Sequence, residues 1–271
     1  MKTKLFILGL CVCLSSCLQD YKTYYNKGCV YYDQGKYDLA IDEFNTAISI
    51  NPKFLDAYNN RGLAYSEQGK FELAIADFTS VIQINPKFAN AYYSRGLAFQ
   101  RQGKFELAIA DYTSAINVNP KFAAAYNNRS HLYKEQGKYE LAIADCDSAL
   151  NINPKLVEAY NNRGIAYYKQ GKNEQAIADY TTAINIDPQF LDAYFSRGFS
   201  YYKLGKNDSA IADYTTAIKI NPKYAKAYYN RSLAYLKQDK KELCISDLKK
   251  SADMGYSEAK TSLKNYFNID Y

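Results

Sequence analysis

Residues 157–190 read VEAYNNRGIAYYKQGKNEQAIADYTTAINIDPQF, and residues 191–224 read LDAYFSRGFSYYKLGKNDSAIADYTTAIKINPKY. The second stretch is a drifted copy of the first, and the prolines extend the same register along the chain. Pro52, Pro86, Pro120, Pro154, Pro188 and Pro222 are the only six prolines, each 34 residues after the last. With proline counted as position 32, seven repeats of 34 residues run from Tyr21 to Glu258. A period of this length is the mark of a stacked-repeat architecture, in which each unit buries its apolar face only against its neighbours.

Each repeat reads helix, turn, helix. Position 4 is Tyr in all seven (Tyr24, Tyr58, Tyr92, Tyr126, Tyr160, Tyr194, Tyr228), position 8 is Gly or Ser, and position 11 is Tyr or Phe. Steps of four and three place these residues on one helical face. Glycine at position 15 in six repeats, from Gly35 to Gly205, stops that helix because it accepts the left-handed conformation. A second apolar stripe follows, with Ala or Cys at position 20 and mostly aromatic residues at position 24. The Asn-Pro or Asp-Pro pair ends it, since the residue before proline is pushed out of α geometry. Positions 4, 11 and 24 account for 16 of the 29 tyrosines, so most of the aromatic content is packing.

The pattern resembles the tetratricopeptide repeat (TPR) family over residues 21–258. The resemblance implies an all-α fold: a right-handed α-solenoid of seven TPR helix pairs, with the first helices lining a concave face. Departures fall at the ends, with Lys27 where other repeats carry Arg and Asp239 where others carry Gly. Residues 257–271 follow as a capping helix and tail, with Ala259, Leu263, Tyr266 and Phe267 at helical spacing to cover the last apolar face.

The N-terminus reads as an address. Lys2 and Lys4 precede an apolar run from Leu5 to Leu14, too short to span a bilayer but suited to a secretory signal. Leu14-Ser15-Ser16-Cys17 resembles the lipobox of bacterial lipoproteins. That resemblance implies a signal peptide over 1–16, acylation of Cys17, and a short lipidated tether over 17–20. An ordinary signal peptide with a coincidental Cys is the alternative. The implied location is exported and membrane-anchored, facing the periplasm or the cell surface. No stretch reaches the roughly 18 apolar residues of a spanning helix.

The main polar feature is an arginine at position 7 (Arg61, Arg95, Arg129, Arg163, Arg197, Arg231). It is matched by an acid at position 23 (Asp77, Asp111, Asp145, Asp179, Asp213, Asp247, with Glu43 in repeat one). In a hairpin turning near position 15 these come level, which predicts structural ion pairs rather than an anion-binding stripe. The net charge of +6 is spread along the chain and argues against nucleic acid as a partner. Cys29, Cys146 and Cys244 fall at core-facing positions, and the single histidine, His131, reads as packed or groove-lining. With no second histidine, phosphate loop, zinc motif or nucleophile elbow, the sequence predicts no enzyme, no cofactor and no metal.

Specificity is expected on a variable stripe of the first helices, at positions 2, 5, 9 and 12. Position 5 supplies Tyr25, Asn59, Tyr93, Asn127, Asn161, Phe195 and Tyr229, and position 12 adds Tyr32, Tyr168 and Tyr202. Asn26, Asn60, Asn128, Asn162 and Asn230 at position 6 serve either a peptide backbone or local structure. The expected function is a non-catalytic scaffold or adaptor at the cell envelope that binds a protein or peptide segment in the groove. A self-assembling homo-oligomer and a wall-carbohydrate binder are the alternatives.

Overall fold

The computed structural model describes residues 21–271; the expected leader 1–16, Cys17 and the tether 17–20 lie outside the described residues. The described chain is all-α, with fifteen helices and no strand. First helices of the repeats span residues 21–33, Leu55–Glu67, Ala89–Arg101, Ala123–Glu135, Val157–Lys169, Leu191–Lys203 and Ala225–Lys237. Second helices span Tyr37–Ile50, Phe71–Ile84, Phe105–Val118, Tyr139–Ile152, Asn173–Ile186, Asn207–Ile220 and Lys241–Asp253, and a last helix covers Ser257–Phe267. The chain divides into two compact halves between Ala125 and Tyr126, inside the first helix of repeat four.

Turn chemistry sets the boundaries. The glycines at position 15 sit at φ between +70° and +77°, where a side chain would be strained. At the other end, the residue before each proline is extended, and its side chain folds back. Asn51, Asn85, Asn119, Asn153, Asp187 and Asn221 each accept the backbone N–H two residues on, at 2.9–3.2 Å. The proline therefore stops the helix, and the Asn or Asp carboxyl or amide oxygen shapes the turn that follows.

Within a hairpin, close approach depends on a size match between positions 8 and 24. A Cβ added to Gly62 would lie 2.8 Å from the Phe78 ring, and one added to Gly164 would lie 2.6 Å from the Tyr180 ring. Where position 8 is Ser130 or Ser232, position 24 is the smaller Cys146 or Leu248. Alanines at positions 3 and 20 are fully buried throughout. Small residues let the backbones approach, and a large ring fills the space between in the five hairpins that carry glycine at position 8.

The arginines of position 7 clamp each hairpin shut. Nε and Nη2 of Arg61, Arg95, Arg129, Arg163, Arg197 and Arg231 donate in parallel to the two carboxylate oxygens of Asp77, Asp111, Asp145, Asp179, Asp213 and Asp247, at 2.6–2.9 Å. The guanidinium lies over the position-4 tyrosine, 5.4 Å from the ring centre in the case of Arg61 and Tyr58. In each half, Nη1 also reaches position 25 of the preceding repeat. It donates to Asn45 and Thr79 in the first half, and to Asp147, Thr181 and Thr215 in the second. The same group therefore closes its own hairpin and fastens it to the one before. Lys27 of repeat one pairs with Glu43 alone, at 2.7 Å, and is exposed. Gln68, Gln102, Gln170 and Gln238 add a second fastening, donating to Asp38, Glu72, Glu140 and Asp208 of the preceding repeat.

The last helix buries Ala259 and Leu263 against Cys244, Leu248 and Ala252, with Phe267 and Ile269 packed alongside. Tyr266 corrects the expectation from spacing: it is exposed, because the helix is in its final turn and the covering face is already filled by its neighbours.

Two measurements check this scaffold. Arg163→Ala strands Asp179 in a nearly buried position, and is expected to cost about 3 kcal/mol in urea unfolding, near the low end for a broken buried pair. Lys155→Ala at an exposed turn is expected to stay within about 0.5 kcal/mol. Asp239 holds φ +57° where the other repeats have Gly. Asp239→Gly is therefore expected to raise stability by about 0.5–1 kcal/mol, read as a higher urea midpoint.

Candidate functional site

Position 5 divides the repeats into two kinds. In repeats one, three, six and seven its aromatic ring is held by rings of its own repeat. Tyr25 lies 5.9 Å from Phe44 and 4.9 Å from Phe54; Tyr93 lies 5.8 Å from Tyr112 and 4.8 Å from Phe122. Phe195 lies 5.8 Å from Tyr214 and 5.1 Å from Tyr224, while Tyr229 lies 5.1 Å from Tyr256. These rings, expected from the sequence on the binding stripe, are half-buried and take part in the packing as well. Tyr32 and Tyr168 are likewise engaged edge-on, with Tyr37 and Phe199, and Tyr202 packs beside Tyr214.

Repeats two, four and five carry asparagine at position 5 instead. Asn59 donates to Asn60 Oδ1 at 3.2 Å, and Asn60 Nδ2 in turn donates to Tyr25 of the preceding repeat at 3.1 Å. In the second half the same geometry recurs: Asn162 Nδ2 donates to Asn127 Oδ1 at 3.1 Å. Position-6 asparagines thus link repeats to one another, whereas Asn230 donates to the Lys226 carbonyl within its own helix.

Two asparagines in succession, with no ring to fill the place, leave a hollow of about 450 Å³ in the second half. Asn127, Asn161 and Asn162 line it together with His131 and Lys134 of repeat four. Ile165, Phe190 and Phe195 form an apolar wall, and Glu158 and Asp192 stand at exposed positions on its edge. Of the expected groove residues, the structure brings Asn127, Asn161 and Phe195 into this one site.

Lys134 is the residue that sequence reasoning missed. Its side chain is only 9% exposed, and its ammonium donates to Asn162 Oδ1 at 3.0 Å. It lies 3.2 Å from His131 Nδ1 and 3.5 Å from Glu135. Burial lowers its pKa, and burial followed by the Lys134 charge lowers that of His131, so the imidazole is neutral and accepts from the ammonium. Repeat four is set apart by His131, where the other repeats carry an apolar residue or Cys, and by Lys134 at the variable position 12; its Ser130 and Cys146 follow the same exchange as Ser232 and Leu248 of repeat seven. Cys146 Sγ donates to Ser130 Oγ at 3.2 Å, and burial pushes its thiol up to about 12, which keeps it unreactive. His131 and Lys134, three residues apart on one helical face, were the readable signal.

Asn161 faces the same hollow. It is 9% exposed, and its Oδ1 has no hydrogen-bond partner among the described residues. A buried amide oxygen without a donor is costly, which makes it a place where an incoming donor is rewarded. A second hollow of about 400 Å³ lies in the first half, between Leu63, Phe71, Phe78 and Leu97, where Ser66 stands at position 12. Its lining is mainly apolar. Among the described residues no group of His, Cys, Asp and Glu is arranged to hold a metal ion.

A family profile described as TPR repeat matches residues 28–69, 64–103, 130–171, 166–205 and 200–239. Profiles described as tetratricopeptide repeat match 89–122, 112–144 and 225–254. No curated protein matches the chain. Among solved structures, the chain is similar to a tetratricopeptide repeat protein from Parabacteroides merdae, at 27% identity and a TM-score of 0.70, over 91% of this chain and 98% of that one. It shares its fold with Pseudomonas aeruginosa PilF, at 19% identity and a TM-score of 0.64, over 79% of this chain and 92% of that one. It also shares its fold with YrrB, described as a TPR protein with an unusual peptide-binding site, at 21% identity and a TM-score of 0.57, over 68% and 95%.

The histidine gives a direct check on this site. A folded pKa below the ordinary value means that the unfolded chain binds the proton more readily. The resulting stability is full above pH 6.5 and is lost as pH falls through the folded pKa. The single imidazole is therefore expected to titrate below 6.5 by NMR. Between pH 7 and 5 the urea midpoint should fall further in the natural chain than in His131→Leu.

Proposed function

The chain belongs to the tetratricopeptide repeat family, and from that membership we propose that it is a non-catalytic adaptor which binds a segment of another protein along the first-helix stripe of its repeats. Proteins of this family are typically scaffolds for protein–protein contact. The observation that carries the reading is the contrast between a constant frame and a local exception. The arginine clamps, turn residues and ring contacts recur from repeat to repeat, whereas the lining of the second-half hollow departs from them in one place. A residue set that packing does not require, gathered around an open space, is what recognition of a partner calls for.

The partner lies against first helices, with side chains entering the hollows and its backbone passing the asparagines of positions 5 and 6. Half-buried rings such as Tyr93, Phe195 and Tyr229 present rigid contact area at little entropic cost. The unusual peptide-binding site described for YrrB is consistent with this use of the fold. The resemblance of residues 1–17 to a lipoprotein signal supports export and anchoring through Cys17 at the cell envelope. A lipid anchor of this kind needs two or more acyl chains to hold firmly, since one chain binds only marginally.

Photo-crosslinking in cells tests the reading. A photoreactive residue at Ser94 or Ser196, each lining a hollow, is expected to capture a partner of distinct mass, while one at the exposed Leu107 is not. Equal capture at all three positions would remove the stripe from the account, and adducts only of dimer mass would favour self-assembly. In the same cells, Cys17→Ser is expected to shift the protein from the detergent phase to the aqueous phase; unchanged partitioning would refute the anchor.

A further inference from the structure

We infer that the hollow between repeats four, five and six receives an arginine side chain of the partner segment. The inference rests on the adaptor reading above and adds to it the chemistry of one contact. Three observations point the same way. The first is the deficit of donors: Asn161 lines the hollow, and its buried Oδ1 has no partner among the described residues. Its sibling Asn162 is saturated, with Lys134 donating to its oxygen and its own Nδ2 donating to Asn127. The second is charge. Lys134 is the one cation lining the hollow, and its ammonium is already engaged by Asn162, His131 and Glu135. Glu158 and Asp192 also line the hollow, and no ion pair among the described residues uses either. Two carboxylates against one occupied ammonium leave the hollow short of positive charge.

The third is shape. Two exposed carboxylates and the Asn161 amide in the lining are spread in space, which suits a planar group with five donors better than a compact ammonium. Phe190 and Phe195 add flat apolar surface on which a guanidinium stacks, and Ile165 offers contact to an aliphatic stem. An acidic side chain would meet Glu158 and Asp192 and would leave Asn161 Oδ1 without its donor. The chain's own arginines at position 7 cannot serve, since each is held by its aspartate.

Two experiments on the full chain separate this inference from the reading beneath it. In the first, N-acetyl-arginine methylamide and its neutral isostere N-acetyl-citrulline methylamide are titrated while the side-chain amide signals of Asn161 and Asn162 are followed by NMR. The arginine probe is expected to move both signals and the citrulline probe to leave them in place. Glu158→Gln combined with Asp192→Asn, at two exposed positions, is expected to weaken the arginine probe about tenfold without changing the urea midpoint. No response to arginine, an equal response to citrulline, or unchanged affinity in the double variant would each overturn the inference. In the second, random twelve-residue peptides displayed on phage are selected on the same chain. Enriched peptides with a fixed arginine, whose replacement by citrulline weakens binding about tenfold, support both statements. Enriched peptides without such an arginine leave the adaptor reading standing and overturn the pocket assignment. Arginine binding with no enriched peptide overturns the adaptor reading instead.

Discussion

The bidentate bond between the position-7 arginine and the position-23 aspartate is the constraint on which the rest depends. It lies between two helices that meet through small residues, so its geometry sets how closely and at what angle they pack. A planar guanidinium does this where an ammonium cannot: two of its donors take the carboxylate while a third crosses to the neighbouring repeat. The tyrosine beneath it removes water from one side and strengthens the pair. The consequence reaches the binding face. Because every arginine of this set is consumed by the frame, charge at the candidate site has to come from residues outside the frame, and it comes from Lys134, Glu158 and Asp192.

Much of this was legible because the same backbone geometry recurs. A proline every 34 residues, a glycine at each left-handed turn and a tyrosine at each position 4 mark places where the chain has one solution and repeats it. The pairing of Arg with Asp could be read because both partners are constant. The bond from Nη1 to position 25 was harder to read, since Asn45, Thr79, Asp147, Thr181 and Thr215 share an acceptor oxygen but not one residue type, and they stand in the preceding repeat. The packing role of the position-5 rings was hidden for a related reason. Their partners stand at positions 24, 32 and 34, on another helix and in turns, and a stripe drawn along one helix does not show them.

The candidate site was half legible. Asn127, Asn161 and Phe195 fell on the expected stripe, and His131 stood out as the single histidine. Lys134 did not, because a lysine at a helical surface position ordinarily keeps its charge in water. Its burial shows only in the packed structure, where its ammonium donates to Asn162 of the next repeat and lies beside His131 and Glu135.

The clamp has one more property, which lies in its arithmetic. The bond from each arginine forward to its aspartate spans 16 residues, and the bond back to the preceding repeat spans 16 as well. Each of these clamp bonds is therefore local along the chain. A polypeptide emerging from the ribosome finds each arginine's first partner already made, and supplies the second after a little over four further helical turns. Low contact order of this kind favours fast, stepwise assembly. Structure can accordingly be gained, or regained after unfolding, one hairpin at a time.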